Sequence, residues 1–228
     1  MSKPSRFLAA MLLLVLPASP SLFAEQVATE DRAPSAEFPQ SQLRVVSATA
    51  PLKVGDKVIG ALSKGEWFPI LKMEGSWYKV EKEKAVGWVH ADHVVVYHPI
   101  VRTVDGDTIV IRVNGVDEKV RLIGVDTPET LDPRKPVQYF GREATAFTDK
   151  ITRGSCGRLE FDQANTATKN RDKYGRLLAY VYVLSGEASH RDAAASPEIF
   201  LNAEIIKQGY GHAYTKYPYE QEKAKLFL

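Results

Sequence analysis

IVRTVDGDTIVIRVNGVDEKVRLIG, residues 100–124, contains three short runs with strand character: Ile100–Val104, Thr108–Val113 and Lys119–Gly124. Runs of this length, rich in β-branched residues, form strands. Asn114-Gly115 separates the second from the third and is a two-residue hairpin signal, because both residues tolerate positive φ. Downstream, Gly157–Phe161 and Leu177–Leu184 read as two further strands. Gln138–Ile151 reads as a helix: Tyr139, Phe140, Ala144 and Phe147 recur at helical spacing, and Pro136 sits just before it. Asn202–Gln208 reads as a second helix ended by Gly209, and Tyr219–Leu228 starts a third. The order βββαββα predicts a five-stranded Greek-key barrel of the OB type with two to three helices.

The residues before this region have another rhythm. Leu43–Val46, Val58–Leu62, Trp67–Met73, Trp77–Glu81, Val86–Val89 and Val94–Tyr97 are short strands separated by turn signals such as Gly55-Asp56 and Gly75-Ser76. Such spacing predicts a small all-β barrel. Gly75-Ser76-Trp77-Tyr78-Lys79-Val80, followed by Gly87-Trp88-Val89, resembles a bacterial SH3-like (SH3b) domain over residues 43–97. Domains of that kind are targeting modules, and the resemblance implies a cell-wall peptide as ligand. Ala48–Lys53 departs from it by lacking an Asn-x-Arg-x-Gly stretch. Trp77 and Trp88 are expected to fill the small barrel's core. The fold class is therefore mainly β with α: an SH3-like barrel followed by an OB-type barrel.

Lys3 and Arg6 precede an apolar run, Phe7–Leu16, closed by Pro17 and followed by Ser21-Leu22-Phe23-Ala24. This is the pattern of a cleaved signal peptide over residues 1–24. It is too short for a span of about 20 residues, so no stable membrane insertion is expected. The chain reads as secreted or periplasmic. Residues 25–42 read as a flexible leader rich in Glu, Pro, Ser and Gln. Residues 98–228 are expected to form the second domain, its last helix either truncated or short, with its end, Leu226-Phe227-Leu228, left with little to cover it. Gly186–Glu198 reads as an inserted surface loop and Gln163–Arg171 as a polar, mobile one.

Of 228 residues, 30 are Lys or Arg and 28 are Asp or Glu. Lys3 and Arg6 account for the difference, so the chain beyond residue 24 is formally neutral. That excludes a protein that coats nucleic acid through bulk charge. Any nucleic-acid chemistry must rest on local charge, with binding that falls only modestly with salt. The single cysteine, Cys156, excludes an intramolecular disulfide and a cysteine-based zinc cluster. His90-x-x-His93, with His98 nearby, lacks a third ligand at standard spacing and reads as loop histidines.

Four segments carry the chemistry. In Val104-Asp105-Gly106-Asp107-Thr108 the two carboxylates, at i and i+2 entering a strand, are expected to point to one face and toward one cation. In Arg121-Leu122-Ile123-Gly124-Val125-Asp126-Thr127-Pro128-Glu129, an arginine set among strand-core residues needs a partner. Pro128 keeps Thr127 out of the helical region, which leaves the Thr127 carbonyl able to face an ion. Asp172-Lys173-Tyr174-Gly175-Arg176 puts basic and aromatic side chains at a strand entrance, suited to phosphate contact and base stacking. Tyr210-Gly211-His212-Ala213-Tyr214 offers tyrosines that stack on a base or pack inside.

Together with Tyr139-Phe140-Gly141-Arg142-Glu143-Ala144 and the Asn202–Gly209 segment, these motifs resemble the staphylococcal-nuclease-like (thermonuclease) family over about residues 98–218. The resemblance implies a Ca²⁺-dependent phosphodiesterase acting on DNA and RNA. It implies Asp107, Asp126 and the Thr127 carbonyl as ion ligands, with Asp105 near the ion through water. It implies Arg121, Glu129 and Arg176 as the catalytic set, and Lys173, Tyr174 and Tyr214 as nucleotide contacts. Oxygen-only ligands suit a hard cation such as Ca²⁺, and Glu129 is a natural general base for water. A monomeric enzyme is expected. Two other classes compete: a non-catalytic nucleic-acid-binding OB barrel, and a cell-wall-binding protein dominated by its β module. Neither needs a carboxylate–arginine set, and here every position of that set is filled.

Overall fold

The computed structural model describes residues 40–130, 138–184, 198–216 and 219–227. The expected signal peptide, residues 25–39 of the leader, Pro136, residues 186–197 of the insertion and Leu228 lie outside the described residues.

The N-terminal barrel is made of β1 (Gln42–Val45), β2 (Thr49–Val54), β3 (Lys57–Ser63), β4 (Trp67–Pro69), β5 (Lys72–Glu74), β6 (Trp77–Lys82) and β7 (Ala85–His90). Five of these form an antiparallel sheet in the order β3-β2-β7-β6-β5. The strand expected over Trp67–Met73 is broken into β4 and β5. The core comprises Leu43, Val45, Ala50, Leu52, Leu62, Phe68, Ile70, Val80, Val89 and Val94. Trp77 and Trp88 are not in it, contrary to the sequence expectation. Val80 and Val89 point inward, so pleat alternation sends Trp77, Lys79 and Trp88 to the outer face. There Lys53 and Lys79 are the cross-strand partners of Trp88 on either side. Their ammonium groups lie 5.7 Å from the Trp77 ring and 5.9 Å from the Trp88 ring. Lysine stems thus cover indole surface that the small core has no room for.

β8 (Val94–Asp105) joins the two barrels. The sequence reads as two strands, Val94–Tyr97 and Ile100–Val104. They are one strand of 12 residues. Pairing with β1 ends at Tyr97 and pairing with β9 (Thr108–Val113) begins at Ile100. The missing N–H of Pro99 falls where the strand changes partner, so it costs no bond to either of them. Two register shifts along the β8–β9 pairing bend the strand into the second barrel. The expected domain boundary at residues 97/98 thus falls inside a continuous strand.

The second barrel adds β10 (Val116–Leu122), β11 (Val125–Asp126), α1 (Gly141–Thr152), β12 (Cys156–Glu160), β13 (Leu177–Leu184), β14 (Glu198–Phe200), α2 (Leu201–Lys207), β15 (His212–Ala213) and α3 (Gln221–Ala224). Strands β12-β13-β10-β9-β8 follow one another, and β12 pairs back onto β8 to close a five-stranded barrel of the OB type. β10 and β13 are parallel; the other neighbours are antiparallel. Ile109, Ile111, Val120, Leu122, Val181 and Val183 fill it, with Leu201 and Ile205 of α2 as a plug.

α1 begins three residues later than its periodicity predicts. Phe140 has φ of 69°, in the left-handed region, so it and Tyr139 precede the helix. The loop expected to be mobile over Gln163–Arg171 contains a 3-10 helix, Gln163–Thr168, capped by the Asp162 carboxylate on the Ala164 N–H. The C-terminus is also better covered than its composition implies. Phe227 is buried against Ile123 and Tyr180, while Leu226 stays exposed. Burying such a ring contributes about 1.5–3 kcal/mol. Asp162 accepts from the Glu220 N–H, and Lys223 pairs with Glu160, which ties the short α3 to the barrel wall.

Candidate active site

The Asp105-Gly106-Asp107 segment is a tight turn. Asp105 ends β8 and pairs with Thr108, which opens β9. The two acids therefore do not share one strand face, as their i, i+2 spacing implies; the hairpin ends too soon for the pleat to align them. Asp105 Oδ1 accepts from the Gly106 N–H (2.8 Å), Thr130 Oγ1 (2.9 Å) and Thr145 Oγ1 (3.3 Å). Asp107 takes other partners. Its Oδ2 accepts from the N–H and Oγ1 of Thr127, both at 3.1 Å, and its Oδ1 from Thr108 Oγ1. Gly106 is required here, since a Cβ would lie 2.7 Å from Thr127 Oγ1. Thr148 of α1 donates to the Gly106 carbonyl at 2.6 Å and fixes the turn from below.

Arg121 leaves β10 toward this turn. Its Nη1 donates to the carbonyls of Leu122 and Val125, both at 2.7 Å. Its Nη2 lies 2.8 Å from Asp126 Oδ1 and 3.1 Å from Asp107 Oδ2. The partner that a strand arginine needs is thus a pair of carboxylates. β11 places Asp126 opposite His212 of β15, with His212 Nε2 4.0 Å from Asp126 Oδ2. Glu129 follows; its N–H donates to Gln138 Oε1 and its carbonyl accepts from the Gln138 N–H.

The electrostatics are unbalanced. Burial pushes the Asp105 carboxyl above the usual carboxylate range. The charges of Asp107 and Glu129 push the same way, and hydrogen bonds from Gly106 and Thr130 only partly oppose them. Burial raises Asp126 as well, with Arg121 and His212 opposing and Asp107 and Glu129 reinforcing. Among the described residues Asp105, Asp107 and Asp126 thus outnumber the Arg121 guanidinium that pairs with the last two. The donors are all oxygen, which fits a hard divalent cation and not a soft one. Among the described residues no three His, Cys, Asp or Glu side chains stand together as a preformed ligand cluster. Arg121 Nη2 lies between Asp107 and Asp126 in this arrangement. The three histidines near residue 90 are likewise no cluster: His98 is paired with Ser41, His93 with Ser47 and His90 with Asp92.

The remaining expected residues lie on two neighbouring segments. Val120 and Leu177 are register partners and both point inward, so Arg121 and Arg176, each one position away, leave the core. Asp172 holds the Arg176 turn. Its Oδ1 accepts from the N–H groups of Tyr174 and Arg176, and its Oδ2 from Arg176 Nε at 2.7 Å. Tyr174 is exposed, with Lys173 Nζ 4.9 Å and Arg176 Cζ 5.5 Å from its ring. Tyr214 donates its N–H to the Gly124 carbonyl. The fold therefore gathers Asp105, Asp107, Arg121, Asp126, Thr127 and Glu129 into one group. Lys173, Tyr174 and Arg176 form a second group at the entrance of β13. Sequence reasoning missed His212, Thr130, Thr145 and Gln138. His212 was visible inside the Tyr210–Tyr214 segment, and Thr130 directly follows Glu129; the other two carry no local signal.

Residues 119–228 match the family model described as staphylococcal nuclease homologue, and residues 53–95 match that of the bacterial SH3 domain. The thermonuclease of Staphylococcus intermedius is 51% identical over 114 residues, which is 50% of this chain and 57% of that protein. The thermonuclease of Staphylococcus hyicus is 43% identical over 86 residues, 38% of this chain and 48% of that protein. Endonuclease YncB of Bacillus subtilis is 46% identical over 82 residues, 36% of this chain and 37% of that protein. The chain thus spans about half the length of the thermonucleases it matches.

Proposed function

We propose that this chain, which carries a staphylococcal nuclease homologue domain behind a bacterial SH3 domain, is a nuclease that hydrolyses phosphodiester bonds of DNA and RNA with Ca²⁺ as cofactor. The observation that carries the reading is the negative surplus around Arg121 at one end of the barrel, in a domain whose relatives are nucleases. Asp107, Asp126 and the Thr127 carbonyl would hold the ion, with Asp105 reached through water. When bound, the cation neutralises phosphate charge and polarises the scissile group. Glu129 takes the proton from the attacking water as general base. Its backbone is clamped on both sides by Gln138, which holds the carboxylate-bearing residue in place. Arg121 and Arg176 present permanently charged planar forks to the charge that develops on the phosphoryl oxygens. Lys173 contacts phosphate, and Tyr174 and Tyr214 contact the nucleotide. In the same reading residues 1–24 export the chain, which acts as a monomer outside the cytoplasm, and the SH3 domain engages a cell-wall peptide.

The test is cleavage of denatured DNA and of RNA by the chain lacking residues 1–24, with calcium or with a chelator. Cleavage in calcium that stops in chelator and falls about 10²–10⁴-fold in Glu129→Gln supports the reading. Binding without cleavage in calcium refutes it, and cleavage that survives the chelator removes the cation from it.

A further inference from the structure

Four aromatic rings lead away from the acidic cluster. Tyr210 is stacked with Phe147 of α1 at 4.2 Å between centroids, and with Phe140 at 5.4 Å, both within about 13° of parallel. Tyr139 continues the series, 6.2 Å from Phe140 and tilted by 32°. The inner rings are packed, but Phe140 is 38% exposed and Tyr139 is 94% exposed. A tyrosine so exposed contributes almost nothing to folding through burial. The backbone beneath it is in an unfavourable state, since Phe140 holds φ of 69°, which a bulky residue rarely adopts. The ring stack holds it there.

Two rings of this series, Tyr139 and Tyr210, adjoin residues that are fastened to the site. Gln138, next to Tyr139, exchanges two hydrogen bonds with the backbone of Glu129. Gly211, next to Tyr210, lies so close that a Cβ would be 2.8 Å from the Asp126 carbonyl and 3.1 Å from Thr127 Cγ2. The rings therefore keep a fixed position relative to Asp126, Thr127 and Glu129.

We propose that Tyr139, backed by Phe140, is a stacking shelf for an unpaired nucleobase of the strand whose phosphate is cleaved. The inference rests on the nuclease reading and adds a base-contacting residue to it. A base held in a helix has both faces occupied, whereas an unpaired base can lay one face on the exposed ring. The shelf acts on binding alone, so it lowers KM and leaves the chemical step untouched.

The experiment compares steady-state cleavage of oligo(dT) with that of an abasic strand of equal length, which keeps the phosphates and lacks the bases. Wild type, Tyr139→Ser and Tyr139→Phe are measured in the full chain. Tyr139→Ser is expected to raise KM for oligo(dT) about five- to tenfold, the lower range for one stacked base, with kcat unchanged. Tyr139→Phe keeps the wild-type KM, and neither variant changes KM for the abasic strand. An unaltered KM for oligo(dT) in Tyr139→Ser, or an equal rise on the abasic strand, overturns the proposal. If the wild type cleaves neither strand, the nuclease reading fails by itself. The shelf is then judged by titrating Tyr139→Trp with oligo(dT) against the wild-type fluorescence background. Quenching of the added indole upholds it, and its absence overturns it.

Discussion

Arg121 and Arg158 each sit among carboxylates, and the two groups differ in sign. Arg158 donates through Nε and Nη2 to Glu198 and through Nη1 to Glu160, and its guanidinium lies 3.9 Å from the Tyr182 ring. Lys223 also pairs with Glu160, and Tyr97 donates to Glu198. Among the described residues Glu160 and Glu198 are each paired with at least one cation, and Arg44 adds a further positive charge near Glu198. Burial opposes ionisation of Glu198, yet the hydrogen bonds from Arg158 and Tyr97 hold its carboxyl below the usual range. Glu160 is also held low, by Lys223 and Arg158 against burial. At Arg121, among the described residues, one guanidinium faces both Asp107 and Asp126, and Asp105 and Asp126 are pushed up. Similar burial with a different charge balance separates a group that joins strands from one whose carboxyls are pushed up.

Truncating the two arginines should separate these roles most sharply. Arg121→Ala is expected to cut kcat roughly 10²–10³-fold, the loss typical of one electrostatic donor at a transition state. Arg158→Ala is expected to leave kcat per folded molecule unchanged. It should cost about 3 kcal/mol of stability, the low end for breaking a buried pair, seen as a fall in Tm of about 6–12 °C. If Arg158→Ala impairs kcat as severely as Arg121→Ala does, the comparison fails.

Calcium gives the next effect. A cation that relieves the surplus stabilises the folded chain by mass action, by about 1.4 kcal/mol at ten times its dissociation constant. Tm of the wild type should rise by about 3–6 °C in that excess. The rise should vanish in Asp107→Ala and persist in Glu198→Gln, as read by thermal melting with and without calcium.

The smallest effect is on pH dependence. The folded value of Asp105 is raised, so its stabilising contribution is complete below the ordinary 3.8 and is lost as pH rises through the folded value. Asp105→Asn keeps the acceptor and removes the charge. It is expected to raise Tm at pH 7 and to change it little in acid. Glu198 has the reverse sign: its contribution is present above the ordinary 4.5 and is lost as pH falls through the lowered folded value. Glu198→Gln should therefore lower Tm at pH 7 and converge with the wild type in acid. Melting curves at both pH values that move the two variants in the same direction would erase the contrast.

Much of the site was legible because its residues lie in short, dense motifs. Asp107, Arg121, Asp126 and Thr127 come from two segments, and their convergence needs only that β9 and β10 pair as the Asn114-Gly115 turn dictates. The relation of Asp105 to Asp107 was misread, since where a strand ends is set by the hairpin's closing pair and not by alternation. Trp77 and Trp88 were misread for another reason. Their aromatic character favours burial, but the inner faces of β6 and β7 are already taken by Val80 and Val89. Gln138 and Thr145 were invisible because one precedes α1 and the other lies within it, and only tertiary packing brings them to the Glu129 backbone and to Asp105.

The sequence by itself determined the two β regions, the hairpin order of the second barrel and the identity of its acidic and basic motifs. Local turn chemistry and strand-forming runs specify these without reference to the rest of the chain. Only the tertiary structure decided that one strand serves both barrels, that Phe227 finds cover against Ile123 and Tyr180, and that Arg121 is outnumbered where Arg158 is matched. Those outcomes depend on which groups from distant segments share a low-dielectric volume, and that is set by packing and not by order along the chain.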